Sequence, residues 1–330
     1  MDFLKNKNIF LYFIIACFVF ISTTALALSK QVEDSGQLPK SLITLPYKFF
    51  PFNPVLSADS NFPVISAQGA VAVDLDSGVP LYEKNPDSPL LPASTTKIVT
   101  ALVALDTYHL DQVLTVPKGS VVDGQKMGLY VGEKMRVEDL LYGLLVYSAN
   151  DAAMVLAGNY PVSSESGTSG YDEFIIAMNL KAKELSMTNS YFENPVGLDG
   201  VNQTTTARDL VRVSEVAMRN PVFAEIVGTK SITVSDITGK SKYNLKNINK
   251  LLGELPGVSG IKTGWTENAR ENLVTYIERD GQDGVSHRIM IAILGSQDRF
   301  GETEELIDWI FTNYEWQEVR PSTLFGNNRQ

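Results

Sequence analysis

The sequence predicts an α+β fold, in which an antiparallel β-sheet is flanked by helices and carries an inserted all-helical subdomain. Two observations lead to this class. Strand patterns occur between residues 69 and 84 and again in the last third of the chain, whereas helical periodicity fills the middle. In addition, an amphipathic helix follows the last strand, so that helices are available to cover the sheet.

The first predicted elements are a hairpin and a buried helix. Residues 69–75 predict a strand, 76–78 a turn, and 79–84 the returning strand. Pro92 then opens a helix over 94–105, which is apolar nearly all round in its later part. A helix without a polar face packs inside a core.

The middle of the chain predicts helices and the end predicts strands. Helices are expected at 137–146, 151–157, 171–185 and 206–217. Strands are expected at 230–234, 258–262, 272–278 and 288–294, and a final helix at 302–311. The helical stretch separates the first hairpin from the later strands, which is why it is predicted as an insertion.

The N-terminus predicts export. Residues 1–27 combine Lys5 and Lys7 with an apolar run over 9–21 and a small-residue cleavage site at 25–27, as in a signal peptide. The alternative is an uncleaved N-terminal membrane anchor, because the apolar stretch is just long enough to span a bilayer. Both interpretations put the rest of the chain outside the cytoplasm, in the periplasm or on the extracellular face of the membrane.

The remaining boundaries follow from composition. Residues 28–62 are expected to be a linker, because prolines interrupt any periodicity, although the aromatic residues in 47–52 could instead dock on the domain. One folded domain is expected over 63–316, and a tail over 317–330.

Composition excludes several functions. The formal net charge is −10, which argues against nucleic acid as a partner. The two histidines, His109 and His287, lie outside any zinc or nucleophile motif, and the single cysteine, Cys17, falls in the N-terminal apolar run. We therefore expect neither a metal nor a cofactor.

The first chemical motif is Ser94-Thr95-Thr96-Lys97. Residues three apart share one helix face, and a lysine at the mouth of an apolar helix is poorly solvated, which lowers its pKa. A neutral Lys97 amine can take the proton of the Ser94 hydroxyl, which makes this serine a nucleophile. For this motif alone, an N-capping serine beside a solvated lysine is the alternative.

Two further motifs follow in order. Ser148-Ala149-Asn150 lies at a corner between two helices, where a hydroxyl can relay a proton from Lys97 and an amide can bind a substrate carbonyl; a plain helix cap is the alternative. Lys262-Thr263-Gly264 ends a strand, where an extended peptide can lie along the edge and deliver an anion to the lysine. A solvated strand end is the alternative there.

The set of three motifs in this order resembles the serine-type D-alanyl-D-alanine carboxypeptidases, the low-molecular-mass penicillin-binding proteins, which share a fold with serine β-lactamases. The resemblance extends beyond the motifs themselves. It also covers residues 81–87, 92–97, 137–145, 194–198, 206–210 and 257–264. It implies an antiparallel sheet, a helical subdomain and a catalytic cleft between them.

The resemblance implies roles for specific residues. Ser94 would be the acylated nucleophile and Lys97 its base, with Ser148 and Asn150 as the relay and substrate-binding pair.

Substrate binding is implied further along the chain. Lys262 and Thr263 of the Lys-Thr-Gly motif, which ends at Gly264, would contact the substrate carboxylate, with help from Arg299. The backbone N–H groups of Ser94 and Trp265 would form the oxyanion hole.

One departure concerns Arg270, which stands where relatives often carry glycine after the Lys-Thr-Gly strand. Arginine tolerates a positive φ less well than glycine, so a different turn is expected here.

The predicted function is removal of the terminal D-alanine from peptidoglycan stem peptides through a Ser94 acyl-enzyme. The expected partners are stem peptides ending in D-Ala-D-Ala, β-lactams as covalent inhibitors, and the membrane if the N-terminus stays uncleaved. A DD-endopeptidase that cuts cross-links, and a non-catalytic sensor that binds penicillin or wall peptides, are the alternatives. A class A β-lactamase is disfavoured, because no stretch holds a deacylating glutamate.

Overall fold

The computed structural model describes residues 52–58, 60–120, 122–162 and 167–318. The predicted signal or anchor over 1–27, and most of the predicted tail, lie outside these residues. Strands run over β1 Phe52–Leu56, β2 Gly69–Asp74, β3 Pro80–Lys84, β4 Val113–Thr115, β5 Lys134–Arg136, β6 Ser231–Ser235, β7 Lys242–Lys246, β8 Val258–Thr266, β9 Arg270–Asp280, β10 Ser286–Ser296 and β11 Tyr314–Glu318.

The helices begin and end close to the predicted positions. They are α1 Lys97–Thr107, α2 Val137–Leu145, α3 Asn150–Gly158, α4 Gly170–Glu184, α5 Ala207–Met218, α6 Pro221–Gly228 and α7 Arg299–Asn313. The helix α6 was not predicted from the sequence. It begins with Pro221 and is capped by the Asn220 side chain, which accepts hydrogen bonds from the N–H groups of Val222 and Phe223.

The central sheet has the order β3-β2-β10-β9-β8, and every neighbouring pair is antiparallel. Strand β10 lies in the middle and is buried on both faces. Successive side chains of a strand point to opposite faces, so Ile289, Ile291 and Ile293 pack with α7. Met290 and Leu294 face the core of the helical subdomain instead. One strand therefore joins the two hydrophobic clusters.

The helical subdomain lies between β3 and β8 in the chain, as expected for an insertion. Helix α1 runs through its centre, and residues 97–104 of that helix are all buried. This explains why the helix lacks a polar face, since it contacts α3, α4 and α5 as well as α2. The predicted α+β class with its helical insertion is confirmed.

The chain differs from prediction at residues 52–56. This part of the predicted linker over 28–62 is strand β1, which pairs with β11 and places Pro54 opposite Trp316. Phe52 and Leu56 pack against the cluster under α7, so the compact unit begins at Phe52 and not near residue 63. The prolines concealed this strand, although proline fits an edge strand where its nitrogen needs no partner. Within the described residues, no helix has the length and apolarity to cross a bilayer.

Candidate active site

A cavity of about 670 Å³ opens between the sheet and the helical subdomain, and it brings the three motifs together. Seven of the nine predicted site residues line it, namely Ser94, Ser148, Asn150, Thr263, Gly264, Trp265 and Arg299. The other two, Lys97 and Lys262, are buried directly behind the lining. Residues far apart in the sequence therefore share one chamber.

Ser94 and Lys97 lie at the start of the buried helix. Ser94 belongs to a 3₁₀ turn, Ala93–Thr96, and α1 itself begins at Lys97. The Lys97 ammonium donates to Ser94 Oγ at 2.7 Å and to the carbonyl oxygen of Val196 at 2.6 Å. No carboxylate pairs with Lys97 in the described residues, and burial lowers its pKa to about 7. Part of the Lys97 population is therefore a neutral amine near neutral pH.

The Val196 carbonyl is a site group that the sequence reasoning did not identify. It belongs to residues 194–198, which carried part of the resemblance but no assigned role. The Asn194 side chain fixes this turn, because its Oδ1 accepts from the N–H groups of Gly197 and Leu198. Gly197 has φ +87°, and a Cβ there would lie 1.8 Å from the Ala93 carbonyl oxygen. Only glycine permits this approach.

Among the described residues, Ser148 forms a hydrogen bond with Lys262 and none with Lys97, the lysine expected from the sequence. Lys262 Nζ donates to Ser148 Oγ at 2.8 Å and to the carbonyl oxygen of Thr263 at 2.9 Å. Burial first, and then the positive charges of Lys97 and Arg299, hold the pKa of Lys262 well below its usual range. Repulsion from Lys97 therefore contributes to the lowered pKa of Lys262. For Lys97, however, burial is the cause of the lowered pKa.

Asn150 joins the site to the loop over 122–129. Its Nδ2 donates to the carbonyl oxygen of Asp123 at 2.6 Å, and its own N–H donates to the Gln125 carbonyl at 2.7 Å. The neighbouring Asp151 is buried and accepts N–H groups from Met127, Gly128 and Leu129. These hydrogen bonds to Asp151 hold one rim of the cavity in place.

The opposite rim carries the groups suited to an anion. Thr263 Oγ1 is buried and has no hydrogen-bond partner in the described residues. Arg299 Nη1 donates to the Gly264 carbonyl at 2.8 Å, while its Nε is likewise unpartnered. Burial lowers the pKa of Arg299, which Glu271 partly opposes. A buried hydroxyl without a partner is costly, so a ligand that accepts from Thr263 would remove this cost.

Asn272 is a second residue that the sequence reasoning missed. It is fully buried, and its Nδ2 donates to the carbonyl oxygens of Leu91 and Pro92 at 2.9 and 3.0 Å. Its Oδ1 accepts the N–H of Gly295 at 2.8 Å. One amide thus ties the turn before Ser94 to β9 and β10.

Three residues without glycine's freedom hold a positive φ around the cavity. These are Ala93 at +47°, Ser148 at +63° and Arg270 at +58°. Such conformations cost on the order of 1–3 kcal/mol each and persist where the surrounding structure imposes them. Arg270 therefore adopts the positive φ that glycine would favour, so the reason for expecting a different turn here does not hold.

This geometry agrees with what the chain is similar to. Residues 57–293 match the D-alanyl-D-alanine carboxypeptidase family. A relative from Bacillus subtilis, the D-alanyl-D-alanine carboxypeptidase DacF, is 31% identical over 76% of this chain and 63% of DacF. The chain therefore spans less than two thirds of that relative's length.

Two further proteins bear on the chemistry. A D-alanyl-D-alanine endopeptidase from Pseudomonas aeruginosa is 31% identical over 75% of this chain and 78% of its own length. The crystal structure of the Streptomyces K15 DD-transpeptidase superposes with a TM-score of 0.70, at 32% identity, over 76% of this chain and 99% of that one. Both likenesses extend well beyond the cavity.

The family match covers more than half of the chain, and the resemblance suggested by the three motifs is confirmed. The predicted enzyme class, a serine-type D-Ala-D-Ala carboxypeptidase, is confirmed with it. The chain belongs to the D-alanyl-D-alanine carboxypeptidase family.

Proposed function

We propose that this chain removes the terminal D-alanine from peptidoglycan stem peptides, with Ser94 as the nucleophile. The single observation that carries the proposal is the contact between Lys97 and Ser94. Lys97, which has no counter-ion among the described residues and a pKa of about 7, lies 2.7 Å from a hydroxyl at the wall of the cavity. An ordinary solvated lysine would be protonated and could not act as a base.

In the acylation step, Lys97 takes the proton of Ser94 as Oγ attacks the penultimate carbonyl carbon. The tetrahedral oxyanion accepts hydrogen bonds from the backbone N–H groups of Ser94 and Trp265. The peptide C–N bond then breaks, and the proton that Lys97 took from Ser94 passes through the Ser148 hydroxyl to the leaving amine of D-alanine, which returns Lys97 to its neutral form. Lys262, which donates to Ser148 Oγ, orients that hydroxyl. A peptide ester on Ser94 and free D-alanine result.

In the deacylation step, a water molecule attacks the same carbonyl carbon. Lys97, now returned to its neutral form, takes the proton from water, and the Ser94 oxygen leaves with a proton. The shortened stem peptide departs and the starting state is restored. Asn150 lines the cavity, and its side-chain amide is proposed to bind the peptide part of the acyl-enzyme.

In this proposal, the terminal carboxylate of the substrate binds at the rim formed by Thr263 and Arg299. Thr263 Oγ1 lacks a partner in the described residues, and Arg299 supplies positive charge beside it. A bound carboxylate would in turn favour the protonated form of Lys262. A substitution Arg299→Gln should therefore lower kcat/KM about 10- to 100-fold for stems with a free carboxylate, the range of a charge-assisted hydrogen bond. Stems amidated at the C-terminus should be much less affected. Equal losses on both stems would remove Arg299 from carboxylate recognition.

The function is tested with a stem pentapeptide ending in D-Ala-D-Ala. We expect release of free D-alanine by the protein, detected by mass, and none from Ser94→Ala. Penicillin should add to Ser94, because the β-lactam ring presents a similar carbonyl beside a carboxylate. Binding of penicillin without any D-alanine release would favour the non-catalytic sensor.

A second candidate is endopeptidase activity, which the Pseudomonas aeruginosa relative favours. The same Ser94 chemistry would then cut a cross-link in place of a free stem. A monomeric stem and a cross-linked dimer at equal concentration separate the two. We expect the monomer to be cleaved faster, and faster cleavage of the dimer would promote the endopeptidase.

We further infer an exported location from the N-terminal sequence, with membrane contact if residues 1–27 remain attached. Expression of the full chain, followed by fractionation and intact-mass analysis, would report both points. Recovery of the protein in the cytoplasm would overturn them.

A further inference from the structure

The two ends of the cavity differ in charge. The end at Thr263 and Arg299 suits a carboxylate, because the Arg299 guanidinium carries a positive charge. At the other end, Glu267 is the one carboxylate among the residues that line the cavity, and its side chain is exposed. Among the described residues, no hydrogen bond or ion pair engages Glu267.

The surroundings of Glu267 add negative charge. Asp199 approaches it from the loop after Leu198, where Asp199 accepts hydrogen bonds from Thr266 and Asn268, the residues on either side of Glu267. Arg270 stands opposite Thr266 across the hairpin but forms no ion pair in the described residues. Trp265 is 63% exposed and provides a flat aromatic surface beside the carboxylates.

Strand geometry relates the two ends to a substrate. Adjacent residues of an extended chain are about 3.4 Å apart, so Thr263 and Thr266 are separated by about 10 Å along β8. A peptide whose terminal carboxylate lies at Thr263 would cover the same length with its last three residues. The residue before D-Ala-D-Ala would then lie beside Thr266 and within reach of Glu267.

We propose that Glu267 selects substrates with a positively charged amine on the residue that precedes D-Ala-D-Ala. The amine would pair with the Glu267 carboxylate, and its aliphatic stem would lie on the Trp265 ring. This inference rests on the proposed function. It adds a specificity determinant at the end of the cavity away from the reacting carbonyl.

The test uses two peptides that differ only in charge. N-Acetyl-L-Lys-D-Ala-D-Ala carries the amine, and the same peptide with Nε-acetyl-lysine keeps the length without the charge. Exposed ion pairs are weak, so we expect the wild-type protein to favour the charged peptide about two- to fivefold in kcat/KM at low ionic strength. Half-molar salt should reduce this preference, because it screens an exposed pair.

Two variants and a control locate the effect. With Glu267→Gln the rates of the two peptides should converge, and with Glu267→Lys the neutral peptide should become the better substrate. Glu304→Gln removes an exposed carboxylate on α7, away from the cavity lining, and should keep the wild-type preference.

The results distinguish a failure of the Glu267 proposal from a failure of the proposed carboxypeptidase function. Equal rates of D-alanine release from both peptides, or a preference that survives Glu267→Gln, would overturn the role of Glu267 and leave the carboxypeptidase in place. No release from either peptide would overturn the proposed function, and the inference with it.

Discussion

Two buried lysines in this protein make nearly the same contacts. Lys97 donates to a serine hydroxyl and to the Val196 carbonyl, and Lys262 donates to a serine hydroxyl and to the Thr263 carbonyl. The serines differ in their surroundings. Ser94 is partly exposed at the start of α1, whereas Ser148 is only 2% exposed at the corner before α3.

The charges around the lysines differ as well. Burial lowers the pKa of Lys97 to about 7, while Lys262 also feels the positive charges of Lys97 and Arg299. A bound carboxylate would restore the positive form of Lys262, because an opposite charge favours protonation. In the proposed mechanism, similar contacts serve two roles. The role depends on which hydroxyl reaches the substrate and on what neighbouring charge is present.

Replacing each of the two serines by alanine should change penicillin acylation more than any other substitution considered below, and the two variants should differ. Ser94→Ala should abolish the covalent penicillin adduct. Ser148→Ala should still form one adduct per chain but about 10²- to 10⁴-fold more slowly, the usual contribution of a proton-transfer group. Intact-mass analysis over time measures both. An adduct on Ser94→Ala would break the comparison, because it would make Ser148 or another residue the nucleophile.

The pH dependence of D-alanine release tests the assignment of Lys97 as the base. Lys97 must be neutral to take a proton, so the rate should be high above a pKa of about 7 and fall tenfold per pH unit below it. The profile of kcat/KM for D-alanine release measures this limb.

A histidine would produce a similar limb, and a variant excludes that explanation. His109→Gln combined with His287→Gln should keep the acid limb in place. Its disappearance in the double variant would mean that Lys97 is not the base.

Asn272 should affect acylation of Ser94 by holding the turn before it in position. Asn272→Ala removes three hydrogen bonds that tie residues 91, 92 and 295 together, which should destabilise the fold by about 1–3 kcal/mol. Displacement of the turn should slow penicillin acylation by up to about 100-fold. Stopped-flow acylation and thermal unfolding report the two effects. Asn268→Ala, which alters an exposed amide, is the matched control, and equal behaviour of the two variants would contradict the positioning role.

The smallest expected effect lies in the turn after β8. Arg270→Gly should raise the free energy of unfolding by about 0.5–1 kcal/mol. Glycine removes the cost of a positive φ but loses more entropy on folding, and the first effect is the larger. Denaturant unfolding measures the gain. Destabilisation would show that the Arg270 side chain makes a compensating contact.

Much of the fold was predictable because it depends on local patterns. The apolar run after Lys97 predicted the buried α1, and the repeated strand patterns predicted the hairpins of the sheet. Strand β1 escaped prediction, since it pairs with β11 at the far end of the compact unit and contains Pro54. A pairing between distant segments leaves little local signal.

The amino-acid sequence contains the three motifs in order, and the identity and spacing of their side chains indicate the family and the candidate site residues. Folding alone brings Lys262 to Ser148, the Val196 carbonyl to Lys97, and the Asn272 amide to the turn before Ser94. Every residue has a backbone carbonyl, so no residue type marks the one that a lysine will use. Burial, which lowers the pKa of Lys97, likewise arises only when distant segments enclose the side chain.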